Sequence, residues 1–274
     1  CDWSSDVCSS DLPGAGGLTA ANHLYNVAAQ DGSIIGTFSR AILKQPLLDT
    51  SGIKFDITQF NWIGSPSQEV GVVFSWHTTP FKTFGDLRND SMLVGAIGAG
   101  GDSQVIPFVL NGVLQTRFKV IKGYQGAADY LLAIERGELQ GSAITSWVGV
   151  LRNSRQQWIE ERKINILLQL GKYGREELKG VPLATDLAAN QADRQLLELM
   201  LATQSVAYPF AAPPNVPAER VRILRDAFDA LMRDPELLGM AKQANMEVMP
   251  LNGAEISALI AEIYASPSDF VARA

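Results

Sequence analysis

The sequence predicts an α/β fold, and three observations support this prediction. Short apolar runs alternate with amphipathic helical patterns along most of the 274 residues, an order typical of largely parallel sheets covered by helices. The run Val70–Trp76 is continuous and rich in β-branched residues, as expected for a strand deep in a sheet. Glycine-rich turns at 13–17 and 98–101 separate predicted elements.

The first eleven residues differ from the rest of the chain. They repeat Ser-Ser-Asp, contain both cysteines (Cys1 and Cys8) and show neither strand nor helix periodicity. They also lack the basic start and the apolar stretch of a signal peptide. We therefore interpret residues 1–11 as a foreign segment and leave them out of the fold prediction.

The remaining elements follow from hydrophobic periodicity and from turn residues. Helices are predicted at Leu18–Ala29, after Gly101, at Ala127–Arg136 and in three closing segments. A proline-rich run, Pro209–Pro217, predicts a linker that leads the chain back to another unit. The predicted strands are Ser33–Phe38, Phe60–Gly64, Val70–Trp76, Leu93–Ile97, Phe118–Ile121, Leu139–Ile144 and Ile164–Leu170.

The stretch Leu93–Gln104 is the most informative part of the sequence. It predicts a buried strand, a glycine-rich turn and then a helix whose apolar positions recur at helical spacing. Asp102 or Ser103 is the expected N-cap, with Pro107 in the first turn. Because a helix start presents unpaired N–H groups and a partial positive charge, this turn can bind an anion. A plain tight turn between two packed elements is the alternative.

Hydroxyl side chains follow two of the predicted strands. Thr37 and Ser39 lie near the end of one strand, and Thr145 and Ser146 follow another. Ligands of open α/β sheets bind beyond the carboxyl ends of the strands, so these hydroxyls are candidate ligand donors. The alternative is that they cap the turns that follow.

Composition and missing motifs exclude several functions. The chain is 46% hydrophobic and 19% charged, which indicates a globular protein with a substantial core. A net charge of −6 argues against nucleic acid and anionic membranes as partners, and no apolar run is long enough to be embedded in a membrane. Phosphate-loop, dinucleotide and nucleophile-elbow patterns are missing or incomplete, and the two histidines stand in no metal-ligand spacing. These absences favour binding over catalysis and predict no cofactor and no metal.

Eight short motifs carry a resemblance to a known family. In their order along the chain they resemble conserved motifs of the tripartite tricarboxylate transporter substrate-binding proteins, the TctC/Bug family of periplasmic receptors. The resemblance extends over nearly all of Leu12–Ala274. The motifs are Pro13–Gly17, Asp31–Ser33, Phe81–Leu87, Gly98–Gly100, Gly123–Ala127, Gly137–Gly141, Val181–Asp186 and Ala212–Pro217.

This resemblance implies a two-lobed periplasmic-binding-protein fold of type II, the Venus-flytrap arrangement, with mixed, mostly parallel sheets. Lobe 1 would comprise residues 12–78 and 207–274, and lobe 2 would comprise residues 79–206. The chain would cross between the lobes near Trp76 and near Tyr208, and two crossings suit a hinge. The family's first strand and helix, together with its first ligand turn, would precede Leu12 and are expected to be missing.

The function implied by the resemblance is extracytoplasmic capture of a small di- or tricarboxylate, or a related solute, and its delivery to membrane transporter subunits. A periplasmic monomer without enzymatic activity is expected. The alternatives are an α/β enzyme that acts on a small organic acid and a ligand-sensing signalling partner of a membrane protein. The expected ligand-binding residues are Thr37, Ser39, Gly98, Ala99, Gly100, Gly101, Asp102, Ser103, Gln104, Tyr124, Thr145, Ser146 and Trp147.

Three of these residues have competing interpretations. Asp102 places a negative charge beside the proposed anion site, which is unfavourable unless it turns away as a cap, pairs with an amine of the ligand or faces a neutral ligand. Tyr124 and Trp147 are expected to shape the apolar side of the pocket. Packing in the core is the alternative for both, since aromatic side chains are usually buried.

Overall fold

The computed structural model describes residues 17–48, 50–97, 101–244 and 246–265. The predicted foreign segment 1–11, the start of the first glycine-rich turn, and Gly98, Ala99 and Gly100 lie outside the described residues. Within the described part of the chain, none of the helices combines the length and apolarity needed to cross a membrane.

The described elements alternate between strands and helices, as predicted. The strands are β1 (Gly36–Thr37), β2 (Asn61–Ser65), β3 (Gly71–Trp76), β4 (Met92–Ala96), β5 (Phe118–Lys122), β6 (Gly141–Ser146), β7 (Ile164–Leu170), β8 (Phe210–Ala212) and β9 (Leu251–Asn252). The α-helices are α1 (Leu18–Asn26), α2 (Gln45–Leu48), α3 (Asp86–Asn89), α4 (Asp102–Leu114), α5 (Ala127–Glu135), α6 (Gln156–Glu160), α7 (Gln191–Leu201), α8 (Ala218–Leu231), α9 (Pro235–Gln243) and α10 (Gly253–Tyr264).

The strands form two separate sheets, each the centre of one lobe. The first lobe holds the order β1-β8-β2-β9, in which all three pairings are antiparallel. The second lobe holds the order β5-β4-β6-β3-β7, in which β4 is parallel to β5 and β6 while β3 is antiparallel to β6 and β7. A mixed two-lobed α/β fold is therefore confirmed.

The expectation of mostly parallel sheets is wrong for the described strands, since five of the seven strand pairs are antiparallel. The strands β3 and β8 cause most of this difference. Each enters its sheet from the other lobe, so no helical crossover forces parallel pairing with its neighbours.

Both sheets are covered by apolar side chains on their two faces. Along β3, Val73 packs into a cluster with α4 and α7, whereas Val72 and Phe74 pack on the opposite face with α5 and α6. In the first lobe, Trp62 and Ile63 of β2 also contribute to two different clusters. This alternation places a core on each side of a strand, which is why the strand runs are continuously apolar.

The crossing between the lobes corrects two sequence predictions. The strand β3, which was placed in lobe 1, pairs in the second sheet, so the first crossing lies at 66–70 rather than near Trp76. The chain returns at 202–209. The two crossing segments are hydrogen bonded to each other, because the Ser65 hydroxyl accepts from the Tyr208 N–H (3.2 Å) and the Ser67 carbonyl accepts from the Ala207 N–H (3.2 Å).

The proline-rich run 209–217 is not a linker throughout. Its residues Phe210–Ala212 form β8, which lies between β1 and β2 in the first sheet. The short β8 precedes the prolines at 213 and 214, so its own N–H groups remain available for pairing, and the high proline content of the run concealed the strand.

Close packing in the second sheet gives a stability prediction. A Cβ at Gly141 would lie 2.1 Å from the Phe74 carbonyl oxygen, so Gly141→Ala should cost about 1–3 kcal/mol in the free energy of unfolding. Gly112→Ala in α4 is the control, because a Cβ there meets nothing within 4 Å and the helix interior favours alanine by about 0.5–1 kcal/mol. Urea unfolding followed by circular dichroism measures both, and an equal stability of the two variants would contradict the packing.

Candidate functional site

A cleft of about 1070 Å³ lies between the two lobes and contains several of the predicted site residues. Both lobes and both crossing segments contribute to its walls. We refer to it as the interlobe cleft. Its lining includes Thr37, Ser39, Arg40, Glu69, Gly101, Asp102, Ser103, Tyr130, Thr145, Ser146, Gly149 and Tyr208.

The wall from the first lobe is built where β1 ends. Thr37 and Ser39 are exposed there, and the Ser39 hydroxyl accepts a hydrogen bond from the Ala41 N–H (3.3 Å) as the N-cap of a 3-10 turn, Arg40–Leu43. Ser39 therefore both lines the cleft and caps the next turn. The 3-10 turn places Arg40 on the cleft wall and the buried Lys44 directly after it.

The wall from the second lobe includes the start of α4. Its N-cap is Gly101 in an extended conformation, with no side-chain cap, so the prediction of Asp102 or Ser103 as the cap is wrong. The Ser103 hydroxyl does not cap the helix, since it accepts from the Ile97 N–H (3.0 Å) directly after β4. Hydrogen bonding within α4 begins at Gln104, which leaves the two preceding N–H groups without helical partners.

Pro107 is also placed differently from the prediction. It is the sixth residue of α4 and thus lies inside the helix rather than in its first turn. At this depth its ring removes an N–H that an ordinary residue would donate to the carbonyl four positions earlier. The buried side chain packs in the second lobe, where burial helps to compensate for the missing bond.

A charged cluster joins the lobes beside the cleft. The Asp102 carboxylate lies 2.8 Å from the Lys44 ammonium and 3.7 Å from the Arg40 Nε, both in the first lobe. The Gln204 side chain, in the returning crossing segment, donates to Asp102 at 2.7 Å, and Lys44 also donates to the Met200 carbonyl at 2.8 Å. Asp102 therefore turns toward the first lobe and is held by the chain itself.

The charges around Asp102 decide its protonation. Burial raises the pKa of this carboxyl, but Lys44 and Arg40 outweigh burial, and the pKa falls to about 2. Asp102 is thus a stable carboxylate near neutral pH. The Arg40 guanidinium approaches Asp102 with its Nε at 3.7 Å, and its two terminal nitrogens make no hydrogen bond to a described residue.

A second helical start at the cleft follows β6. The π-helical turn Trp147–Arg152 begins there, and the Glu69 carboxylate accepts from the N–H groups of Val148 (3.1 Å) and Gly149 (3.0 Å). Glu69 also accepts from the Ser146 hydroxyl and from the Val70 N–H. This glutamate belongs to the first crossing segment, so it fixes that segment to the second lobe.

The remaining predicted residues divide into two groups. Thr145 and Ser146 line the cleft, although the buried Thr145 hydroxyl is already bonded to Tyr130 (3.1 Å) and Ser142 (2.7 Å). Gln104, Tyr124 and Trp147 are not part of the lining.

The two aromatic residues contact the core of the second lobe, Trp147 as a buried member and Tyr124 as a half-buried residue at its edge. Trp147 is buried and donates from its indole nitrogen to Glu177. Tyr124 packs edge-on against Tyr130, with ring centroids 6.5 Å apart.

Sequence reasoning missed Arg40 and Glu69, the two charged residues of the lining besides Asp102. Arg40 directly follows Ser39, so its position after a strand end was a usable signal. For Glu69 no local signal exists, because its partners in the second helical start lie 77–80 residues further along the chain. Among the described residues, no group of three His, Cys, Asp or Glu side chains is placed to hold a metal ion.

Comparison with known proteins identifies the fold. No family model and no curated protein matches the sequence. Among solved structures, a TctC solute-binding protein from Polaromonas without ligand matches with a TM-score of 0.69 and 17% identity, covering 96% of this chain and 85% of that chain. The periplasmic binding protein BugD matches with a TM-score of 0.68 and 16% identity over 95% and 83%. MatC from Rhodopseudomonas palustris with bound malate matches with a TM-score of 0.64 and 17% identity over 94% and 85%.

The chain has the TctC-type solute-binding fold. These structural matches confirm the fold that the motif resemblance implied. The fold consists of a pair of α/β lobes with a cleft between them.

The charged cluster in this TctC-type fold gives a prediction for stability and pH. Lowering the Asp102 pKa from 3.8 to about 2 corresponds to about 2 kcal/mol, so Asp102→Asn should lose at least that much at pH 7. Because the folded-state pKa is depressed, the wild type holds this stabilisation above about pH 4 and loses it as the pH falls toward 2. Urea unfolding at pH 7, 5, 4 and 3 measures the difference between the two proteins.

The exposed Asp226 provides the control for this experiment. Asp226 makes a 4.0 Å pair with Arg222 on the surface of α8, and such pairs contribute about 0–1 kcal/mol. Asp226→Asn should therefore change stability little at any pH. A difference between Asp102→Asn and the wild type that stays constant from pH 7 to pH 3 would contradict the assignment.

Proposed function

We propose that this chain is an extracytoplasmic solute-binding protein that captures a small carboxylate-type solute in the interlobe cleft and delivers it to a membrane transporter of the tripartite tricarboxylate type. The observation that carries the proposal is Arg40, which lies on the cleft wall beside the start of α4 and whose terminal guanidinium nitrogens make no hydrogen bond to a residue that the structure describes. A guanidinium and helix N–H groups without helical partners are both suited to a carboxylate. The malate present in the MatC structure supports the same class of ligand.

Binding fits the cleft better than catalysis does. The two acidic residues of the lining are engaged by the protein, Asp102 by cations and Glu69 by N–H groups. An acid–base mechanism needs a titratable group that can approach the reacting atoms and exchange a proton there. Carboxylates held in this way fix the backbone and the neighbouring cations of the cleft wall. A fixed wall of this kind suits the binding of a solute.

The site residues we propose are Thr37, Ser39, Arg40, Gly101, Asp102, Ser103, Thr145 and Ser146. Residues from both lobes would contact one solute, so binding would favour the closed arrangement of the lobes. The proposed location is the periplasm and the proposed assembly is a monomer that contacts transporter subunits, as the motif resemblance implies.

Isothermal titration calorimetry with a panel of small organic acids tests this proposal. We expect at least one acid to bind, and Arg40→Gln to weaken that binding by about tenfold or more, since a charge-assisted hydrogen bond contributes about 1.5–3 kcal/mol. Circular dichroism checks that the variant is folded.

Arg222→Gln is the matched control, because this arginine lies on the exposed surface of α8, away from the cleft. Its affinity for the same acid should equal that of the wild type. The proposal fails if no acid of the panel binds, or if Arg40→Gln binds as tightly as Arg222→Gln does.

A further inference from the structure

The two helical starts that face the interlobe cleft each carry a carboxylate of the chain itself. The first turn of α4 contains Asp102, and the turn that begins at Trp147 has Glu69 on its N–H groups. At the second start Glu69 occupies N–H groups that an anionic ligand would otherwise bind. At the start of α4 the Asp102 carboxylate instead turns to Lys44 and Arg40, so it adds a negative charge there without occupying the N–H groups. The cleft therefore offers fewer binding sites for ligand carboxylates than its two helical starts would suggest.

Glu69 occupies its position firmly. Its carboxylate accepts from four donors, which are the N–H groups of Val70, Val148 and Gly149 and the hydroxyl of Ser146. Gly149 permits the approach, since a Cβ at this residue would lie 2.8 Å from the Ser146 hydroxyl and 3.4 Å from the Glu69 carboxylate. A ligand carboxylate could bind these N–H groups only by displacing Glu69.

The charges of the lining are unevenly distributed. On the first-lobe wall Arg40 is cationic, and across the cleft Asp102 is matched by Lys44 as well as by Arg40. Glu69 has no Lys or Arg within ion-pair distance among the described residues. One end of the cleft is thus suited to an anion, and the region around Glu69 repels one.

We infer that the solute carries one carboxylate, held by Arg40, and an ammonium group that faces Glu69, so that the cleft selects amino-monocarboxylates over dicarboxylates of equal length. This inference rests on the proposed function and specifies its ligand class. A dicarboxylate would place its second negative charge near Glu69 with no free N–H group to receive it. An ammonium group instead compensates the negative charge of Glu69 and donates to its oxygens or to the Ser146 hydroxyl.

Calorimetry with matched pairs of compounds tests the inference. The pairs are succinate with 4-aminobutanoate, glutarate with 5-aminopentanoate, and adipate with 6-aminohexanoate, in which one carboxylate is replaced by an ammonium group at similar length. For the pair that binds most tightly, we expect the wild type to prefer the amino compound by about tenfold or more. Glu69→Gln should reduce this preference to about threefold or less, because the amide carries no charge.

Glu177→Gln is the control variant. Glu177 accepts from the Trp147 indole at the same helical turn but does not line the cleft, so its replacement should leave the preference unchanged. A wild type that binds the dicarboxylates as tightly as their amino partners, or a Glu69→Gln variant that keeps the full preference, overturns the inference and leaves the proposed function intact. If neither the six compounds nor any acid of the organic acid panel binds, the proposed function is overturned instead. If Glu69→Gln does not fold, the affinities of the wild type decide the inference. A preference for the amino compounds supports it, and equal or tighter binding of the dicarboxylates overturns it.

Discussion

The attraction between Asp102 and the two cations of the first lobe is the interaction on which the arrangement of this protein depends. Lys44 is almost fully buried, and an ammonium group in that position requires a counter-charge. Asp102 supplies it from the other lobe, and the Gln204 side chain joins Asp102 to the returning crossing segment. The geometry of the cleft follows, because this contact sets how the start of α4 faces Arg40.

Carboxylates of the chain itself give the cleft its chemical character. In an isolated α/β unit, every helix start at the open end of a sheet is a place for an anion. Here Glu69 satisfies one such start and ties the first crossing segment to the second lobe. In the ligand selection that we propose, the same residue would link the path of the chain between the lobes to the specificity of the cleft.

Local signals predicted the elements well and their partners poorly. The strand Ile164–Leu170 agrees with its prediction because a continuous apolar run is a local property. The sheet that contains Gly71–Trp76 could not be read from the sequence, since strand pairing depends on residues far along the chain. The cleft hydroxyls Thr37 and Ser39 could be anticipated because a strand end is a local feature. The contacts of Glu69 could not be anticipated, because the helical start that it binds lies far along the chain.

The distance between the lobes tests the central claim most directly. Spin labels on cysteines at Lys54 in the first lobe and Lys119 in the second, with Cys1 and Cys8 replaced by serine, report this distance by double electron–electron resonance. Both sites are exposed. If the cluster around Asp102 sets the arrangement, the distance distribution of the parent protein is narrow and that of the Asp102→Asn variant is broader. Identical distributions in the two proteins would contradict the account.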